Sequence, residues 1–184
     1  MSAVARDRVV AKPFDQIIAD FLLAEVPVGS RVIDVGCGTG WTAILLTDHQ
    51  ICSSCEGVDV DELDIHRANR WFLKAKRDHL VHCQQCSAEE LTKKLGRSNY
   101  DVVVSNHSLH HYLSPERGLR EIYHILKAGG VLLLTELEQK FGETIDNCPR
   151  FRPDKIKQLI EGAGFPVDTF EQKKPGVLLV KARK

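Results

Sequence analysis

The chain has 184 residues, 43% of them hydrophobic and 27% charged, with 25 basic side chains balanced by 25 acidic ones. That composition excludes disorder, collagen-like repeats and a bundle of membrane spans, and the length suits one domain over residues 1–184. A formal charge of zero supplies no global field toward nucleic acid or anionic lipid, so the default partner is a small molecule.

Residues Met1 to Pro13 carry Arg6, Arg8 and Lys12 without an apolar stretch resembling a signal-peptide core. Nothing downstream reaches the ~18 apolar residues of a membrane span. The expectation is a cytoplasmic protein whose residues 1–13 form a flexible arm or lid. Beyond it, short runs of Val, Ile and Leu alternate with stretches of helical spacing. Phe14, Ile17, Ile18, Phe21 and Leu22 predict a helix before Pro27, Arg31 to Val35 a strand, and Trp41 to Asp48 a helix. A strand near Glu56 to Val60 precedes a helix with Leu63, Ala68, Trp71, Phe72 and Ala75 on one side. Then come a strand at Val81 to Cys86, a short helix from Ala88 to Leu95 and a strand at Tyr100 to Ser105.

Pro115 suits the first turn of a helix that buries Leu119, Ile122, Tyr123 and Leu126 and ends before Gly129-Gly130. Val131 to Thr135 reads as the fifth strand, Leu137 to Arg152 lacks periodicity, and Pro153 to Ala163 reads as a helix. Pro166 to Glu171 and Val177 to Ala182 flank a link too short for a helical crossover, so these last strands should pair antiparallel. The expected class is an α/β fold with a sheet parallel except at its end.

Val32-Ile33-Asp34-Val35-Gly36-Cys37-Gly38-Thr39-Gly40-Trp41 leaves a buried strand, turns through three glycines and enters a helix, as loops do that bring backbone close to a ligand. A dinucleotide loop needs a third glycine where Trp41 stands, which disfavours a nicotinamide oxidoreductase, and the Gly-Lys-Ser/Thr of a P-loop is absent. The loop suits a ligand without a pyrophosphate. Asp59, about 20 residues beyond it, has the spacing of a carboxylate that accepts from a vicinal diol.

On these residues the sequence resembles the class I S-adenosylmethionine-dependent methyltransferases, from Phe14 to the end. Asp34 to Gly40 resembles the family's first motif, and Gly57-Val58-Asp59-Val60-Asp61 the end of its second strand. Cys86-Ser87-Ala88-Glu89 falls where the family usually has Gly-Asp-Ala, with Ser87 in place of aspartate. Tyr100 to His111 and Leu126 to Leu132 resemble its fourth strand and the turn into its fifth. The resemblance implies a Rossmann-like seven-stranded sheet of order 3-2-1-4-5-7-6 with strand 7 reversed, helices on both faces, and S-adenosylmethionine as cofactor, released as S-adenosylhomocysteine. It implies cofactor contacts from Asp34, Gly36, Cys37, Gly38, Gly40, Asp59, Val60, Ser87, Ala88 and Asn106, with Asp59 on both ribose hydroxyls. Adenine recognition would rest on the neutral Ser87 hydroxyl or pass to a backbone carbonyl.

Methyl transfer from a sulfonium is an in-line displacement that needs positioning and a dry site rather than a nucleophilic side chain. A hydroxyl, thiol or carbon acceptor also needs a base, and His107 and His110 are the candidates, with His111, Glu136 and Glu138 as rivals. An imidazole here can equally tie the loop down by hydrogen bonds. Tyr112, Phe141 and Phe151 could wall the acceptor pocket. Three readings of function stay open: transfer to a small-molecule acceptor, cofactor binding by a non-catalytic subunit or sensor, and an RNA or protein methyltransferase. A homodimer or a protein partner that completes an open site also stays open.

Cys52-x-x-Cys55 and Cys83-x-x-Cys86 together resemble a zinc pattern. Residues three apart on a regular strand point to opposite faces. Aligning Asp59 with Ser87 sets Cys55 level with Cys83 and leaves Cys52 and Cys86 on the order of 20 Å apart. No metal site is expected. Arg67, Arg70, Lys74 and Arg77 form a basic helical stripe without interleaved aromatics, which reads as a solvated face.

Overall fold

The computed structural model describes residues 14–184, so the arm expected over residues 1–13 lies outside the described residues. Seven strands form one sheet in the order β3-β2-β1-β4-β5-β7-β6, where β1 is Ser30–Val35, β2 Cys52–Asp59, β3 Val81–Gln85, β4 Tyr100–Asn106, β5 Leu126–Leu137, β6 Val167–Lys173 and β7 Val177–Arg183. Pairings are parallel through β5, and β7 runs antiparallel to both β5 and β6. The connection after β1 leads to β2 on one side and that after β4 to β5 on the other, opening a crevice at the carboxyl edge where their loops diverge.

Strand residues alternate between two apolar layers, as a pleated sheet covered on both faces requires. Val32, Cys55, Val102, Val104 and Leu133 pack under α1 (Asp15–Glu25), α2 (Trp41–Asp48) and α3 (Glu62–Lys74). Ile33, Val35, Val103, Leu132 and Leu134 pack under α4 (Leu91–Leu95), α5 (Pro115–Ile125) and α7 (Pro153–Gly162). Local chemistry sets the helix starts. The Asp61 side chain accepts from the Leu63 and Asp64 N–H groups, and the Ser114 hydroxyl caps α5 ahead of Pro115.

Several expected boundaries move. The helix from Ala88 to Leu95 is broken into a 3-10 turn at Ala88–Glu90 followed by α4. β5 begins at Leu126, because the register slips between Tyr100 and Val102 and takes the Gly129-Gly130 turn into the strand. Helix α6 (Gln139–Asp146) occupies the segment without periodicity and packs Phe141 onto the first layer.

The strand alignment used against a zinc site is corrected. Gly57, not Cys55, is level with Cys83, because β3 ends at Gln85 opposite Asp59, and Cys86 lies beyond the strand. A bulge at Ser53 further places Cys52 and Cys55 on the same face. Among the described residues no three His, Cys, Asp or Glu side chains converge to hold a metal ion. Nor is any described helix long and apolar enough to cross a membrane.

Candidate functional site

After β1 the chain turns sharply, and the Gly36 and Cys37 N–H groups both donate to Val58 O at 2.8 and 3.0 Å. The three loop glycines serve different needs. A Cβ on Gly36, at φ +80°, would lie 2.3 Å from Ser108 Cβ, and one on Gly40 would lie 2.8 Å from the Phe72 ring. Gly38, at φ +48°, meets nothing within 4 Å and borders the crevice. Gly40 therefore lets α2 pack on α3, and Gly38 leaves backbone bare for a ligand.

Asp59 ends β2 with its carboxylate accepting from Gly38 N–H at 2.7 Å and from Asp61 N–H at 3.0 Å. Helix capping falls to Asp61, which frees Asp59 to face the loop. Val60, the next residue, is 65% exposed. Asp34 is 2% exposed, and its Oδ1 has no hydrogen-bond partner. Burial raises its pKa to about 7, the neighbouring Thr42 hydroxyl offsets part of that, and the charge of Asp59 adds to it. The Cys37 and Cys83 thiols meet in the space left by the missing Gly57 side chain.

The Ser87 hydroxyl is engaged within its own turn, donating to the Glu89 carboxylate while its oxygen accepts from Glu89 N–H at 3.1 Å. Glu89 in turn accepts from Ser114 N–H at 3.0 Å, and Ala88 beside it is buried. At the end of β4, Asn106 Oδ1 accepts from the Thr135 hydroxyl at 2.6 Å. His107 has φ +54°, its N–H donates to Thr135 O at 3.0 Å, and its ring stacks on Phe14 at 5.1 Å. Phe141 closes against Phe14 edge-on at 5.9 Å.

Tyr112 and Phe151 both pack within the fold. The Tyr112 hydroxyl lies 3.1 Å from Ser105 Oγ and donates to Val35 O at 3.4 Å, and its ring covers Gly118. It braces the loop rather than walling a pocket. Phe151 packs with the opposite apolar layer from Phe141.

His110 lies at the centre of a buried polar group. Its Nδ1 is 2.8 Å from Glu136 Oε1 and 3.0 Å from Oε2, with 3% and 1% of the two side chains exposed. Arg150 Nε lies 3.7 Å from Glu136 Oε2. A carboxylate can only accept, so Nδ1 carries a proton, and the tautomer this bond selects for a neutral imidazole has its lone pair on Nε2. That Nε2 is buried without a partner. Glu138 is instead partly exposed at the start of α6, and His111 is exposed beside His110, their ring centroids 3.9 Å apart. Arg150 and Ser108 escaped the sequence reading. Arg150 lies in the aperiodic segment and carries no local signal, whereas Ser108 Oγ, which donates to Val35 O at 2.7 Å, sits inside the Tyr100 to His111 segment.

The basic stripe is partly neutralised, with Arg67 on Asp64 at 2.9 Å and Arg77 on Asp48. Arg70 and Lys74 border a cleft of about 200 Å³ with His66 and Trp71.

The bare loop, the Asp59 acceptor pair and the orphaned Asp34 oxygen fit a ligand with a vicinal diol and an ammonium group, without a pyrophosphate. This chain belongs to the methyltransferase-domain family, whose model matches residues 8–169, and within it to the class I S-adenosylmethionine-dependent methyltransferase family. It is 28% identical over 145 residues to the S-adenosyl-L-methionine-dependent Diels-Alderase iccD of Talaromyces variabilis, covering 78% of this chain and 48% of that one. It is 32% identical over 120 residues to the 27-O-demethylrifamycin SV methyltransferase of Amycolatopsis mediterranei, covering 64% and 43%. The chain thus spans about half the length of these curated relatives. The crystal structure of the [4+2]-cyclase SpnF superposes with a TM-score of 0.81 at 21% identity, covering 96% of this chain and 84% of that one, a likeness of fold.

Proposed function

We propose that the protein transfers a methyl group from S-adenosylmethionine to a small molecule whose acceptor atom must lose a proton, with His110 as general base. The carrying observation is the unpartnered Nε2 of an imidazole held by a buried carboxylate. S-adenosylmethionine, when bound, supplies an already activated methyl group. Everything else falls to side chains and backbone of this chain.

In this reading Asp59 accepts from the ribose hydroxyls, Asp34 faces the ammonium of the methionine part, and Gly36 to Gly38 form the backbone cradle. Cys37 and Val60 flank that cradle. Ser87 and Ala88 border the adenine, and the Asn106 carbonyl faces the amino group. Phe14, His107 and Phe141 exclude water from the acceptor side. His110 takes the acceptor's proton at Nε2, Glu136 holds Nδ1–H and stabilises the imidazolium that results, and Arg150 balances the buried carboxylate. His107, stacked on Phe14, acts as a wall rather than a base.

Labelled-methyl transfer against pools of hydroxyl, phenol, thiol and carbon-acid acceptors tests the proposal. His110→Ala should lower kcat by about 10²- to 10⁴-fold while leaving cofactor affinity within twofold. Unchanged kcat removes His110 as the base.

A second reading, a cofactor-bound cyclase, is supported by the iccD relative, an S-adenosyl-L-methionine-dependent Diels-Alderase. A cyclase turns over without forming S-adenosylhomocysteine, so quantifying that product against acceptor consumption separates the two.

A further inference from the structure

The two Cys-x-x-Cys pairs have different geometries. Cys83 and Cys86 point into opposite apolar layers, as residues three apart normally do. Cys52 and Cys55 both pack with the α1–α3 layer. The register explains it: Ser30 pairs with Cys52, Arg31 with Ser54 and Val32 with Cys55, so Ser53 is an extra residue. Its hydroxyl donates to Ser30 O at 3.1 Å and pins the bulge.

From this geometry we propose that Cys52 and Cys55 are a redox-active dithiol which a hydroperoxide closes to an intramolecular disulfide. The pair is separated by only two strand steps, about 6.6 Å between Cα atoms, at the upper end of the span a disulfide bridges. Cys37 and Cys83 also approach each other, but across the whole width of β2. Both of those thiols are buried, so neither meets a peroxide from solvent as Cys52 does.

The two sulfurs are unequal in the way such a reaction needs. Cys52 is partly exposed and Cys55 fully buried, where its thiol donates toward Glu56 O at 4.0 Å. The nearby Cys55 thiol lowers the Cys52 thiol from its usual range, while the Cys52 neighbour and complete burial push Cys55 well above it. Cys52 is the attacking thiolate and Cys55 the resolving thiol.

The thiolate of Cys52 attacks one peroxide oxygen. The O–O bond breaks, and hydroxide leaves with a proton as water, giving a sulfenic acid. Cys55 sulfur then attacks the Cys52 sulfur, the S–O bond breaks, and the departing hydroxide takes the Cys55 proton. With hydrogen peroxide, two thiols and one peroxide yield one disulfide and two waters; an organic hydroperoxide yields one alcohol and one water. The pair lies at the start of β2, the opposite end from Asp59, so closure leaves cofactor affinity unchanged and the reaction stands apart from methyl transfer.

The test treats the full chain with hydrogen peroxide, blocks remaining thiols, and cleaves after acidic residues to release the 49–56 peptide, which contains Cys52 and Cys55 and no other cysteine. The expected result is a loss of about 2 Da and of both alkylatable thiols from that peptide, reversed by dithiothreitol. Cys52→Ser should abolish closure, and Cys55→Ala should leave a sulfenic acid on Cys52 that dimedone labels. A peptide that keeps two alkylatable thiols while cysteines elsewhere oxidise overturns the proposal, as does a disulfide joining Cys37 to Cys83.

Discussion

His110 Nδ1 sits 2.8 Å from Glu136 Oε1, joining the loop after β4 to the end of β5 through side chains that are both almost fully buried. Glu136→Gln replaces an acceptor-only group by one that can also donate, so the imidazole loses its fixed tautomer. We expect kcat to fall by at least tenfold with KM little changed, and the pH profile of kcat to shift with it. A purely structural role would lower thermal stability and leave that profile where it was.

Arg150 tests the same cluster through stability. Arg150→Met takes the guanidinium from a carboxylate that is 1% exposed. Loss of one partner from a buried pair costs roughly 3 to 5 kcal/mol, read as a lower urea midpoint. The double change Glu136→Gln with Arg150→Met should recover much of that loss without restoring activity.

The glycine loop offers a contrast between two positions. Gly36→Ala meets Ser108 Cβ at 2.3 Å on top of a positive φ, so it should destabilise the fold by more than about 2 kcal/mol. Gly38→Ala meets open space and has only the positive φ to bear, about 1 kcal/mol. In the proposed site its methyl group would stand against the cofactor. Calorimetry should therefore find a chain with weakened cofactor binding at Gly38→Ala and a poorly folded one at Gly36→Ala.

Asp34 predicts a pH dependence whose sign follows from linkage. Its folded pKa of about 7 exceeds the ordinary value of 3.8, so between these limits the folded state binds more protons than the unfolded one. Stability without cofactor falls as pH rises from about 4 to 7, by up to roughly 4 kcal/mol from this group. Asp34→Asn should flatten that part of the stability curve. Cofactor binding below pH 7 should release a proton from Asp34, seen as a calorimetric enthalpy that changes with the buffer's ionisation heat.

The frame was legible because its signals are local. The link before Val177 is too short for a crossover, which dictated the antiparallel end of the sheet, and the glycine loop and Asp59 stand at a fixed spacing along one βαβ unit. Neither the end of β3 at Gln85, opposite Asp59, nor the bulge at Ser53 against β1 was legible, because neither leaves a mark in the local run of residues. Arg150 reaches Glu136 through tertiary packing alone. Its stem passes close over Gly142 of α6, where an added Cβ would lie 2.9 Å away. Asn69 was equally hidden: its side-chain amide bonds both the N–H and C=O of Cys83, covering the outer edge of β3.

In the proposed site, the crevice between the Gly36 to Gly38 loop and Asp59 holds S-adenosylmethionine by its ribose. Titration calorimetry with S-adenosylhomocysteine on the unmodified chain, Asp59→Ala and Asp61→Ala tests it directly. Loss of charge-assisted hydrogen bonds at Asp59 should weaken binding by at least tenfold, while Asp61→Ala should cost about 1 kcal/mol of stability as a lost helix cap and little affinity. Equal affinities for Asp59→Ala and the unmodified chain would contradict the account.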